Sequence, residues 1–106
     1  MAEFRLARAA ERDLERITEF VARENLDAAL RVLDELERTF FELAARPGIG
    51  HRRADLTPEG FRFWSVFDLL VVYDPESRPL AILRVLHGRR DVERELTSWL
   101  DRPSRD

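Results

Sequence analysis

The chain contains no cysteine and no lysine. Without cysteine, disulfides, thiolate metal ligands and cysteine nucleophiles are all excluded. The absence of cysteine also favours a reducing compartment. All 18 basic residues are arginine, so no mechanism that depends on a lysine ammonium group is open to this chain. The planar guanidinium of arginine instead suits the recognition of carboxylate and phosphate groups.

Long apolar runs and a basic excess are also missing. No run approaches the ~20 residues that a transmembrane helix needs. The segment MAEFRLARAAERD carries charges every few residues, so we expect no signal peptide and a cytoplasmic protein without a membrane partner. Charged residues make up 37% of the chain, yet the net charge is −3. This balance disfavours direct sequence-specific nucleic-acid binding, because such proteins usually carry a basic surface.

Metal and cofactor motifs are absent as well. The two histidines, His51 and His87, lie too far apart in the sequence for the usual zinc ligand spacings, and no cysteine supplements them. No glycine-rich phosphate loop and no nucleophile elbow occurs. We therefore expect no metal site and no cofactor.

The first half of the chain has helical periodicity. Residues 2–7 alternate loosely and predict a short edge strand. Asn25 is the predicted N-cap of a second helix that ends at Pro47-Gly48. A short connection between two amphipathic helices predicts an antiparallel helical hairpin. The first helix is predicted over residues 9–24 from apolar side chains at helical spacing, namely Ala10, Leu14, Ile17 and Val21.

The periodicity changes in the second half. Residues 49–60 are rich in turn-forming residues and predict a loop. Strands are predicted at residues 61–67, 69–74 and 79–86. Because the connections are too short for a crossover, these strands should form an antiparallel meander.

A short helix is expected near the end of the chain, with Asp91 as its cap and with Val92, Leu96 and Trp99 on its apolar face. The element order predicts an α+β domain. Its parts are an N-terminal strand, a helical hairpin packed on a three- to four-stranded, mainly antiparallel sheet, and a short C-terminal helix. Residues 1–102 should form one domain, followed by a short polar tail at 103–106.

Three segments carry a family resemblance that runs over nearly the whole chain. RVLHGRRDV, at residues 84–92, is similar to an Arg-Val-x-His-x-x-Arg-Asp string at the end of the sheet in the ParE branch of the RelE/ParE toxin superfamily. AERDL, at residues 10–14, resembles that family's Ala-x-x-Asp-Leu helix. GFRFWSVFDLLVVYDP, at residues 60–75, resembles its strand pair.

The resemblance implies the RelE/ParE-like fold and the toxin component of a type II toxin–antitoxin system. Such a toxin is neutralised by a cognate ParD-like antitoxin in a hetero-oligomer. Members of the ParE branch typically poison DNA gyrase by binding, whereas the RelE branch cuts mRNA on the ribosome. We therefore expect gyrase as the target and no catalytic residues.

Two alternatives stay open. The first is a RelE-like ribonuclease, in which Arg62 and Arg84 resemble the arginines on the sheet and His87 is the acid–base candidate. Against it, the final helix offers neither tyrosine nor histidine, and Tyr73 lies in the middle of a strand. The second is a toxin-like binding domain that is non-toxic or has another target.

Contact residues for a target or an antitoxin are predicted from the arginines and aromatics that commonly anchor interfaces. They are Arg62, Trp64, Arg84, His87, Arg89, Arg90 and Trp99. Other readings remain: Arg84 pairs with an internal carboxylate such as Asp68 or Glu93, and the tryptophans pack in the core.

An excess of apolar residues predicts a groove that the domain cannot cover by itself. Such a groove would accept a partner's helix or an added strand. The residues on which this prediction rests are Phe20, Val32, Phe41, Phe63, Val66 and Phe67.

Overall fold

The computed structural model describes residues 3–57, 59–88 and 92–102, and within them the chain folds as an α+β domain. The elements in chain order are β1 (Phe4–Leu6), α1 (Arg8–Ala22), α2 (Leu26–Ala45), a 3₁₀ turn (Pro47–Ile49), β2 (His51–Arg52), β3 (Arg62–Val66), β4 (Leu69–Asp74), β5 (Leu80–His87) and α3 (Val92–Leu100). The fold class is the one predicted.

The two long helices follow their sequence signals closely. Asn25 is the N-cap of α2, and its side-chain oxygen accepts a hydrogen bond of 3.0 Å from the backbone N–H of Ala28. This bond satisfies one of the free amides at the helix N-terminus. Pro47 follows the end of α2 and starts the 3₁₀ turn. The apolar stripes of both helices pack against the sheet, as the periodicity predicts.

In the described residues the sheet has five strands, whereas three or four were predicted. Its order is β1-β5-β4-β3-β2, with β1 parallel to β5 and the other neighbours antiparallel. The additional strand is β2, because His51 and Arg52 pair with Phe63 and Arg62 of β3. The sequence predicted a loop here, since two residues are too few to show a period of two.

Apolar side chains cover both faces of the sheet. On β4, Val71 and Tyr73 belong to the cluster packed under the helical hairpin, whereas Val72 belongs to a second cluster. Because successive strand residues point to opposite faces, the two clusters lie on opposite sides of the sheet. Leu96 and Trp99 of α3 are in the second cluster, so α3 packs on the face away from the hairpin.

Tyr73 fastens the end of α2 to the sheet. Its hydroxyl donates to the carbonyl oxygen of Pro47 at 2.6 Å and accepts from the backbone N–H of Gly50 at 2.9 Å. Burial raises the pKa of this phenol, and the hydrogen bond from Gly50 only partly offsets the effect. A Cβ atom at Gly50 would collide with the Tyr73 hydroxyl, which explains the glycine.

Tyr73→Phe is expected to lower the free energy of unfolding by about 1–3 kcal/mol, because the amide of Gly50 loses its partner in the interior. Urea denaturation measures the change. Thr18→Val is the control: the Thr18 hydroxyl donates to the Leu14 carbonyl, which is also positioned to accept a bond of the helix ladder. An equal loss in both variants would contradict a special role for Tyr73.

Candidate partner-binding groove

The arginine inside β5 is held by a carboxylate from α1. Arg84 is 6% exposed and Asp13 is 5% exposed. Nε of Arg84 donates to Oδ2 of Asp13 at 2.8 Å, and Nη2 donates to Oδ1 at 3.0 Å. This two-point geometry matches the guanidinium fork to the carboxylate and explains why an apolar strand tolerates a charge.

Asp13 also binds the backbone of β5. The strand β1 pairs only with Leu80–Ile82, so it does not reach the second half of β5. There the backbone N–H of Val85 donates to Oδ2 of Asp13 at 2.9 Å. Asp13 therefore neutralises Arg84 and satisfies a strand amide at the same time.

Two further contacts connect Arg84 with α3. Its Nη2 lies 3.5 Å from the carboxylate of Glu95, and its Cζ lies 5.9 Å from the ring centroid of Trp99. Burial alone would lower the pKa of Arg84, but the carboxylates of Asp13 and Glu95 outweigh that effect and raise it. The guanidinium therefore stays charged, and it joins α1, β5 and α3.

Beside this ion pair lies an open groove of about 530 Å³. Ile17, Phe20 and Val21 form its α1 wall, and their spacing places them on one face of the helix. Val32 contributes from α2. Arg84 lies in the floor, where Asp13 already compensates its charge.

The turn between β3 and β4 closes the other side of the groove. Phe67 lines the groove from this turn, and Leu69 lines it from the start of β4. Phe20 and Phe67 are each 64% exposed. Two aromatic side chains on different walls of one groove form an apolar surface that the described residues leave uncovered, and such surfaces mark interaction sites.

The prediction of an apolar excess is therefore confirmed in part. Phe20, Phe67 and Phe41 are exposed, and Val32 lines the groove, whereas Phe41 is not among the lining residues. It was wrong for Phe63 and Val66, which are both buried. Phe63 packs against α3 on the second face, and this cover could not be read from the strand pattern.

The predicted contact residues do not form one cluster. His87 is exposed and lines the groove together with Arg84. Arg62 and Trp64 lie on β3, two strands away from β5. Nη1 of Arg62 donates to the carbonyl oxygen of Gly50 at 2.8 Å, and Trp64 is half-buried beside the His51 ring. Their roles as contacts stay predictions.

Two of these predictions need correction. Trp99 is only 3% exposed and packs in the second core cluster, so its side chain is not part of the open surface. Arg84 does pair with an internal carboxylate, but the partner is Asp13 rather than Asp68 or Glu93. A signal for Asp13 was present, because it lies four residues before Ile17 and therefore on the apolar face of α1.

Several predictions fall outside the described residues. They concern Arg89 and Arg90 as contact residues, Asp91 as the cap of α3, and residues 103–106 as a tail. Within the described ranges, no group of three or more histidine, aspartate or glutamate side chains is placed to hold a metal ion. No helix in those ranges is long and apolar enough to cross a bilayer.

Comparison with known proteins identifies the family of this chain. Residues 4–92 match the family model described as the ParE toxin of type II toxin–antitoxin system, parDE. Toxin ParE3 of Caulobacter vibrioides is 35% identical over 85 residues, which cover 79% of this chain and 84% of that protein. The family is thus defined over most of the chain.

The chain belongs to the ParE toxin family of type II toxin–antitoxin systems. An antitoxin partner follows from this membership, because the toxin and the antitoxin are the two components of such a system. The groove is therefore a candidate binding surface for the antitoxin.

Proposed function

We propose that this protein is a ParE-type toxin that inhibits DNA gyrase by binding it in the cytoplasm. A cognate ParD-like antitoxin forms a hetero-oligomer with the toxin and neutralises it. The observation that carries the antitoxin part of this proposal is the groove between α1, α2 and the β3–β4 turn, with its two exposed phenylalanines. Gyrase as the target is supported by the family resemblance of the sequence. Family membership supplies the partner, and the groove supplies a surface that fits an apolar segment of it.

Binding accounts for these residues better than ribonuclease chemistry does. Cleavage of RNA requires an acid–base pair and cations that are free to stabilise charge on the phosphate. The guanidinium of Arg84 is engaged by Asp13, and the hydroxyl of Tyr73 has partners in Pro47 and Gly50. His87 is exposed at the end of β5 and faces a mainly apolar groove.

The target is tested with purified gyrase. Addition of this protein should stop plasmid supercoiling or trap cleaved DNA, because a bound toxin blocks the enzyme cycle. The same preparation should leave ribosome-bound mRNA intact. Site-specific mRNA cuts that disappear in His87→Ala would overturn the proposal in favour of the ribonuclease. Unaffected gyrase with intact mRNA would indicate a different target or a non-toxic protein.

A further inference from the structure

The turn between β3 and β4 holds a phenylalanine in an unusual backbone conformation. Val66 pairs with Leu69, so Phe67 and Asp68 are the two residues of the hairpin loop. Phe67 has φ of 55°, and no other non-glycine residue in the described ranges has a positive φ. In two-residue hairpin loops a positive φ at this first position is usually adopted by glycine, asparagine or aspartate, because the left-handed region disfavours other side chains.

The loop is held by a hydrogen bond of 2.6 Å from the backbone N–H of Gly88 to the carbonyl oxygen of Asp68, but the Phe67 ring itself is not buried in the core. Phe67 is 64% exposed, and it belongs to neither core cluster. The chain therefore holds a bulky aromatic residue where glycine would fold more easily, and it leaves the ring largely in water. Backbone strain of this kind persists at binding sites, where the conformation serves the function.

The position of the ring indicates what that function is. Phe67 lines the groove from the sheet side, while Phe20 lines it from α1. The walls also carry aliphatic Ile17, Val21 and Val32, and the charge of Arg84 in the floor is already compensated by Asp13. Three further charged side chains line the groove, namely Arg16, Asp68 and Glu95. An occupant consequently needs apolar side chains against the aromatic walls and polar groups where it meets these charges.

We propose that Phe67 is the anchor residue for the antitoxin: its strained backbone presents the ring to aliphatic side chains of an antitoxin segment lying in the groove. This inference rests on the proposed function, in which an antitoxin occupies the groove. A concave surface fits a segment of chain better than the broad face of a large enzyme, which favours the antitoxin over gyrase as the occupant. Exposed aromatic anchors of this type carry much of the energy of an interface.

The test compares substitutions that separate the ring from the backbone conformation. Phe67→Asn and Phe67→Gly remove the ring but suit a positive φ. Phe67→Trp keeps an aromatic ring at the same place. Leu30→Ala is the matched control, because Leu30 is an exposed apolar residue, 53% accessible, that does not line the groove. Each variant is titrated with the cognate ParD-like antitoxin, and its Tm is measured.

The asparagine and glycine variants should bind the antitoxin at least about 30-fold more weakly, the range of a hot-spot residue. Their Tm should stay the same or rise by up to about 5 °C, because the strain is relieved. Phe67→Trp and Leu30→Ala should stay within about threefold of the unmodified protein in affinity.

Three results would overturn the inference. Unchanged antitoxin affinity in Phe67→Asn would show that the ring is not an anchor. A clear fall in Tm would show that Phe67 serves folding instead. Loss of gyrase inhibition with full antitoxin affinity would assign the ring to the target. If the unmodified protein does not bind the antitoxin, the proposed function itself fails, which is distinct from failure at Phe67 alone.

Discussion

Arg84→Met is expected to lower the free energy of unfolding by about 3–5 kcal/mol, because it leaves the buried carboxylate of Asp13 charged and without its partner. Among the described residues, the carboxylate would keep the amide of Val85 as its one buried hydrogen-bond donor. Domains of this size are stable by only about 5–15 kcal/mol, so much of the variant should be unfolded or degraded in cells. Urea denaturation measures the loss.

A second variant separates charge from packing. Asp13→Asn combined with Arg84→Met removes both charges and keeps a side-chain oxygen that can accept from the amide of Val85. This double variant should recover about 2 kcal/mol relative to Arg84→Met alone, because no buried charge is left unpaired. A double variant no more stable than Arg84→Met alone would show that the lost packing of Arg84, rather than the unpaired charge of Asp13, causes the damage.

The control for this experiment is an ion pair of similar length on the surface. Arg53 donates to Asp55 at 2.8 Å, but both side chains are largely exposed. Asp55 holds the pKa of Arg53 above its ordinary value, yet solvent screens such a pair strongly. Arg53→Met should therefore change stability little. A loss as large as that of Arg84→Met would contradict the importance of burial.

Phe20→Glu should weaken antitoxin binding by about 100-fold or more, because a carboxylate placed in the apolar groove must lose its water when the partner binds. Phe20 is 64% exposed, and glutamate is a good helix former, so α1 should fold normally. Cells that express the variant together with the antitoxin should stop growing, whereas cells with the unmodified pair should not.

Leu30→Glu is the matched control for the groove. It places the same charge at an exposed apolar position on α2 that does not line the groove. Antitoxin binding and growth should be as in the unmodified pair. An equal loss of antitoxin affinity in the two variants would mean that the antitoxin covers a broad surface of the helical hairpin and does not bind specifically in the groove.

The sequence was sufficient for the helical half of the fold. The apolar spacing along α1 and α2 and the cap at Asn25 are local features, and each produces the element it predicts. The three longer strands were also located, within one or two residues of their observed bounds. β2 was missed because its two residues become a strand only by pairing with β3, which is a long-range event.

The groove and its ion pair were less predictable, because they too depend on contacts between residues far apart in the sequence. Arg84 was recognised as unusual, but its partner Asp13 lies 71 residues earlier in the chain, and only the packing of α1 on β5 brings the two together. The positive φ of Phe67 depends on the pairing of Val66 with Leu69, which forces a two-residue loop onto a sequence without glycine. The packing of α1 on β5 and the loop that holds Phe67 both contribute residues to the groove.

Plasmid supercoiling by gyrase, measured with this protein while the antitoxin is titrated, tests the account most directly. The unmodified toxin should inhibit supercoiling, and the antitoxin should restore it once it is equimolar with the toxin. Phe20→Glu should inhibit equally but require a large excess of antitoxin for relief. Gyrase that is unaffected by the toxin, or equal relief of both proteins at the same antitoxin concentration, would contradict the account.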